Sequence, residues 1–253
     1  MSMGSNVENV DTKTSERSSL SEQDYETFVP GGLGMKLKVN NIFPSIQGEG
    51  VNLGNPSVFL RLGGCNLRCG FCDTKYAFDG ELTKHTEIIN KILEYGIKHL
   101  VITGGEPILQ QDELSSIIMM LQDKGFTFEL ETNGTIEPNH VLETHINLWN
   151  VSPKLSNSSN SEDIRYKPKV IEYFTKLSNA WFKFVVDKRE DLKEIEKFIS
   201  KNMINKHRVI LMPQATSVTD HQKREWIVGH CLEKGYRYSP RLHIILWGNV
   251  KGK

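Results

Sequence analysis

The chain has 253 residues, enough to bury roughly 75% of its unfolded surface without disulfide staples. Charged residues make up 25%, and 31 basic residues against 31 acidic ones leave no net charge, which argues against a general nucleic-acid binder built on a basic footprint. No stretch approaches the roughly 20 apolar residues that span a bilayer, and the first residues carry no secretory core. The expectation is therefore no nucleic acid, no membrane and a reducing cytoplasm, where clustered cysteines bind metal or do redox work.

Residues 1–34 are rich in Ser, Thr, Asn and Glu and end near Pro30-Gly31-Gly32. They hold six acids and two bases, a charge of −4 that leaves +4 on 35–253 (29 bases, 25 acids). We expect a disordered extension followed by one domain over 35–253. In chain order, apolar runs predict strands at 36–43, 57–62, 98–103, 127–132, 147–151, 181–186, 207–212 and 242–247. Three- and four-residue spacing predicts helices at 84–95, 111–124, 189–201 and 220–234. The polar stretch 155–168 reads as a loop insertion, with a lid as the alternative. Lys183 interrupts the apolar run WFKFVV and sits either at an exposed edge or facing a polar cavity.

Strand-then-helix order implies an α/β fold: a mostly parallel sheet curled towards a partial (β/α) barrel. Hydrogen-bonding tripeptides follow the strands directly: Thr103-Gly104-Gly105, Glu131-Thr132-Asn133, Ser152-Pro153-Lys154, and Pro213-Gln214 after RVILM. In such sheets ligands sit at the C-terminal edge of the strands, so these residues predict one shared site.

Three of the four cysteines, Cys65, Cys69 and Cys72, follow C-x-x-x-C-x-x-C spacing on a glycine-bearing loop. Each iron of a [4Fe–4S] cube takes one thiolate, so three cysteines leave one iron open for another ligand. The fourth, Cys231, falls on the apolar face of a helix and reads as a small buried hydrophobe. Structural zinc wants four closed ligands. The nearest downstream histidine, His85, lacks ligand spacing and reads as a surface residue at a helix start.

The cysteine spacing with Phe71 before Cys72, followed by Gly104-Gly105-Glu106-Pro107 after the next strand, resembles the radical S-adenosylmethionine superfamily. Further runs narrow the resemblance: SIQGEG at 45–50, FLRLGGCNL at 59–67, Cys72-Asp73-Thr74, ETNGT at 131–135, Ser152-Pro153-Lys154 and SPRLH at 239–243. Together they resemble the 7-carboxy-7-deazaguanine synthase family over about 40–250. That resemblance implies a lyase that contracts 6-carboxy-5,6,7,8-tetrahydropterin to 7-carboxy-7-deazaguanine with loss of ammonia, in queuosine or archaeosine biosynthesis. It also implies a [4Fe–4S] cluster on the three cysteines, S-adenosylmethionine on the open iron, Mg²⁺ held by Thr74, a flavodoxin-like electron donor and a homodimer. No side chain serves as the catalyst, because the cofactor carries the radical chemistry.

Within that expectation, Gly104 and Gly105 lie against the cofactor's amino group. Ser152, Pro153 and Lys154 hold its carboxylate or ribose, Gln214 its nucleoside, and Phe71 and Asp73 its adenine, with Glu131 and Asn133 nearby. Ile46, Gln47, Gly48 and Glu49 read the pterin edge by paired hydrogen bonds. Arg61 pairs with the substrate carboxylate or makes a surface ion pair, and Thr103 touches the same molecule. His243 and Arg241 are further candidates. Thr74 alone reads equally well as a helix cap. The rivals are a radical activase acting on a partner protein, and an iron–sulfur carrier or zinc-stabilised binding module.

Overall fold

Buried parallel strands need helices to cover their apolar side chains, and that requirement organises the chain. A computed structural model describes residues 34–252 and, apart from them, residue 23; the expected extension otherwise lies outside the described residues. The strands are β1 (Lys36–Ile46), β2 (Pro56–Leu62), β3 (Glu81–Lys84), β4 (His99–Gly104), β5 (Thr127–Thr132), β6 (Leu148–Val151), β7 (Ala180–Val186), β8 (Val209–Pro213) and β9 (Arg237–Tyr238). They form one sheet in the order β3-β1-β2-β4-β5-β6-β7-β8-β9. β1 pairs antiparallel with β2 and β3, and every later pairing is parallel. The two ends of the sheet do not meet, so the architecture is the partial barrel expected.

The helices are α1 (His85–Glu94), α2 (Gln111–Gln122), α3 (His140–His145), α4 (Glu162–Arg165), α5 (Pro168–Lys176), α6 (Arg189–Lys201), α7 (Val218–Lys223), α8 (Trp226–Lys234) and α9 (Leu242–Trp247). The expected periodic faces are the buried ones: Ile88, Ile89 and Ile92 on α1, and Leu114, Ile117, Ile118 and Leu121 on α2. They pack into one core with Leu100 and Ile102 of β4, Phe128 and Leu130 of β5, and Trp149 of β6. Among the described residues, no helix is long and apolar enough to cross a membrane.

Three expectations are corrected. The run at 242–247 is a helix, not a strand: only Ile244 is buried in it, and a short apolar run cannot separate the two periods. The helix expected at 220–234 is broken at Arg224–Glu225 into α7 and α8. His85 opens α1 as expected, but it is 1% exposed rather than at the surface, and burial pulls its pKa down to about 4.

The parallel strands all present their C-terminal ends on one side. β2 runs into the cysteine loop, β4 into Gly104-Gly105, β5 into Asn133, β6 into Ser152, and β8 into Gln214. That edge is where the polar tripeptides collect.

Candidate active site

A cavity of about 260 Å³ opens at this edge. Cys65, Cys69, Cys72, Phe71, Asp73, Thr74, Gly104, Gly105, Glu131, Asn133, Ser152, Lys154 and Gln214 line it. So do Ile46, Gln47, Gly48, Glu49, Arg61, Thr103 and His243. Of the expected residues, buried Pro153 alone lies outside its lining.

The cysteine loop is set by backbone bonds at its start. Gly63 N donates to Lys38 O at 2.7 Å and Gly64 N to Ala77 O at 2.9 Å. The three thiols are free and partly exposed. Burial pushes the Cys65 and Cys69 thiols up, against the Lys154 charge that pulls them down. Among the described residues, no three His, Cys, Asp or Glu side chains converge on a single ion position. A cube takes one thiolate per iron, so its ligands stand apart rather than converge.

Gly104 and Gly105 are required by close backbone approach. Gly104 has φ +142, and a Cβ there would fall 2.2 Å from Leu62 O; one on Gly105 would fall 1.9 Å from Gly64 O. The GGEP segment thus lies against the cysteine loop with no room for a side chain. Glu106, which sequence reasoning left without a role, anchors this contact. Its buried carboxylate accepts from Thr132 Oγ1 (2.8 Å) and Asn133 N (2.7 Å), and burial pushes its pKa up against those bonds. The Asn133 side chain is itself engaged, donating to Asn66 Oδ1 at 2.9 Å and accepting from Thr135 Oγ1 at 2.6 Å.

A continuous run of charge crosses the cavity wall. Thr74 Oγ1 donates to Asp73 Oδ1 at 2.7 Å, and Asp73 Oδ2 pairs with Arg241. Arg241 Nε meets Glu49 Oε1 at 3.0 Å, Glu49 Oε2 meets Lys183 Nζ at 2.5 Å, and Lys183 reaches Glu131 at 3.6 Å. Thr103 Oγ1 closes the run on Glu131 Oε2 at 2.7 Å. Burial alone would raise the Glu49 pKa, but Lys183 and Arg241 outweigh it and hold the carboxyl well below its usual range. Burial would likewise lower Lys183, yet Glu131 and Glu49 raise it. Lys183 therefore faces the cavity, resolving the two sequence alternatives. Glu131 is bonded to Thr103 and Lys183, on the Glu49 side of the cavity. Thr74 precedes the 3₁₀ turn Lys75–Phe78 without capping it.

Arg61 has ring faces rather than a carboxylate beside it, with its guanidinium 5.9 Å from both the Phe43 and Tyr76 ring centres. Phe43 and Phe59 stack at 5.2 Å and extend this apolar wall. Phe43, Tyr76 and Phe78 escaped sequence reasoning because single aromatic residues carry no pattern. His243 lies directly on the QGEG turn: a Cβ on Gly48 would fall 2.1 Å from its Nδ1. Asn249, Val250 and Gly252, beyond α9, also line the cavity.

Gln47 is 1% exposed, and its amide is already used. Nε2 donates to Glu129 Oε1 at 2.5 Å, and Oε1 accepts from Glu49 N at 3.2 Å. Glu129 also accepts from Asn52 (2.7 Å) and Asn150. Burial and the neighbouring Glu131 charge raise its pKa from 4.5 to about 7, against those bonds. An acid whose pKa is raised on folding gives stability that is complete below its unfolded value and lost as the pH rises through its folded one. From about pH 4.5 to 7, Glu129 therefore withdraws on the order of 3 kcal/mol. Urea unfolding of Glu129→Gln across that window should show a flatter decline than the unaltered protein. An equal decline in both would rule Glu129 out as the source.

Residues 60–176 match the family described as the Radical SAM superfamily. A 7-carboxy-7-deazaguanine synthase of Pyrobaculum aerophilum is 40% identical over 226 residues, covering 86% of this chain and 98% of that protein. The synthase of Hyperthermus butylicus is 34% identical, covering 85% and 94%. Among solved structures, QueE from Escherichia coli superposes with a TM-score of 0.64 at 24% identity, over 82% of this chain and 95% of that one.

Proposed function

The chain belongs to the 7-carboxy-7-deazaguanine synthase family within the radical S-adenosylmethionine enzymes, and from that premise we propose that residues 35–253 form one catalytic unit converting 6-carboxy-5,6,7,8-tetrahydropterin to 7-carboxy-7-deazaguanine and ammonia. One observation carries the reading: three free thiols, a side-chain-free glycine pair and an ion-paired glutamate open onto a single cavity. The family implies a [4Fe–4S] cluster and S-adenosylmethionine, and the residues present fit both. Cys65, Cys69 and Cys72 supply three separated thiolates. Gly104 and Gly105 offer bare backbone, and Lys154, whose Nζ lies 2.8 Å from both Ser152 O and Ser152 Oγ, offers a cation for a carboxylate. When bound, the pair supplies a radical able to take hydrogen from an unactivated C–H bond.

The chain's own work is position and exclusion of water. Ser152, Lys154, Gln214, Phe71 and Asn133 hold the cofactor on the glycine side. Arg61, held over two rings, meets the substrate carboxylate as a bidentate donor. Glu49, fixed between Lys183 and Arg241, accepts hydrogen bonds from the pterin edge. Gln47 acts on the same edge by orienting Glu49 N and the turn around Gly48. Glu131 shares that side through Thr103, and His243 closes it over Gly48. Ile46 adds apolar contact. Asp73 and Thr74 present oxygen donors suited to Mg²⁺, which prefers few protein ligands with water and substrate oxygens. A flavodoxin-like donor and a homodimer complete the proposal.

Anaerobic turnover with S-adenosylmethionine, a reductant, Mg²⁺ and the carboxytetrahydropterin tests it. Deazaguanine product is expected; methionine and 5′-deoxyadenosine accumulating without it would sink the substrate assignment. In the same assay, Thr74→Ala should weaken the Mg²⁺ dependence while keeping wild-type iron content. Equal iron loss would contradict a role at Mg²⁺.

A further inference from the structure

The stretch 155–168 is a built support rather than a free insertion. Its base is fastened to α6 and to the Ser-Pro-Lys segment. Ser156 N lies 3.0 and 3.1 Å from the two Glu194 carboxylate oxygens, and Arg165 bridges Glu194 (3.1 Å) and Lys154 O (3.0 Å). Its tip is fastened to the cysteine loop. Gly70 N donates to Ser158 O at 2.9 Å, and Arg68 N donates to Asn160 Oδ1 at 2.9 Å. Because the Arg68 amide needs an acceptor, the Asn160 oxygen faces it and the Asn160 Nδ2 turns to Cys69 Sγ, 3.3 Å away. Asn160 is 9% exposed, and the same nitrogen reaches Ser158 Oγ at 3.2 Å.

We propose that Asn160 positions the Cys69 ligand and sets the reduction potential of the iron–sulfur cluster through its N–H to Cys69 Sγ. The inference rests on the reading that Cys65, Cys69 and Cys72 hold that cluster. A donor aimed at a cysteinate sulfur stabilises the more electron-rich state, so it raises the potential. It acts most strongly where burial keeps water from substituting for it. Cys65 takes its hydrogen bond from within its own loop, Leu67 N at 3.4 Å. The Cys69 donor comes from a side chain 91 positions away. The electron-accepting property of the site is thus written in part into a segment outside the motif.

The test is a redox titration of the reconstituted full chain, followed by the paramagnetic resonance of the reduced cluster, with iron and sulfide counted. Asn160→Leu keeps the shape and removes the donor. Asn160→Asp keeps an acceptor for Arg68 N and removes the donor but adds a negative charge that lowers the potential by itself, so Asn160→Leu is the deciding variant for a shift. Both midpoints should shift to more negative potential. The midpoint is read on the loaded fraction, so partial loading of a variant does not obscure the shift. A wild-type midpoint in either variant overturns the proposal. An unaltered chain that takes up no four-iron cluster overturns the cluster reading beneath it.

Discussion

Cys65→Ala should abolish four-iron loading and lower deazaguanine formation by more than the roughly 100-fold typical of losing a mere supporting partner at a metal site. The reason is arithmetic of ligands. A loop with three thiolates leaves one iron for a non-protein ligand, and removing a thiolate leaves two irons without protein anchors. The fold should hardly notice. Cys65 is partly exposed, and its sulfur accepts only a 3.4 Å bond from Leu67 N. Unfolding of the apo form should therefore move by no more than about 0.5 kcal/mol, as at other sites without a named structural role. Iron counting, turnover and urea unfolding on one preparation check all three. A variant with full iron and turnover would remove Cys65 from the ligand set.

Lys183→Met is expected to act in the opposite pattern, on stability and turnover together. The Nζ lies 2.5 Å from Glu49 and 3.6 Å from Glu131, and the residue is 4% exposed. Removing one partner of such a group strands buried charge, at about 3–5 kcal/mol. Arg241 still touches Glu49 at 3.0 Å, so the lower end of that range is expected. The sign of the pH dependence follows from Glu49. Its pKa is held below 4.5, so the stability it gives is present above that value and is lost as the pH falls through the lowered one. The gap between the two proteins should be widest near neutral pH and narrow on acidification. A gap that stays constant down to acid would mean that Lys183 acts by packing alone.

Buried parallel strands announce themselves as short apolar runs, which is why the central sheet is legible in the sequence. Leu242–Trp247 shows where that signal fails, since a six-residue run with five apolar positions fits either period and the choice is made by what they pack against. The site's edge was legible because turn-forming tripeptides follow the strands. Its pairings were not. Nothing in the Ser-Pro-Arg run at 239–241 announces that Arg241 spans Glu49 and Asp73, because a buried ion pair is a property of two distant positions. Lys183 registered as an anomaly in an apolar run, without its partners. Gln47 was expected to read a ligand, and the burial that turns its amide inward is invisible in one dimension. Asn160 was hidden inside a polar stretch that resembled filler.

The contact between the QGEG turn and the segment leading into α9 bears on the order in which the site is made. Gly50 N donates to Ser239 Oγ at 2.8 Å and Leu242 N to Gly48 O at 2.8 Å, while Arg241 grips Glu49 from 192 positions away. Strands β1 to β8 and their helices can emerge from the ribosome and pair in sequence. The glutamate at the turn acquires its arginine only when residue 241 has been made. Closing so long a loop is among the slower steps of folding. Translation halted before Ser239 would leave a nascent polypeptide holding its cysteines and most of its sheet but lacking this clasp. Such a polypeptide would keep the cysteine side of the cavity and lack the arginine that fixes Glu49 on the other.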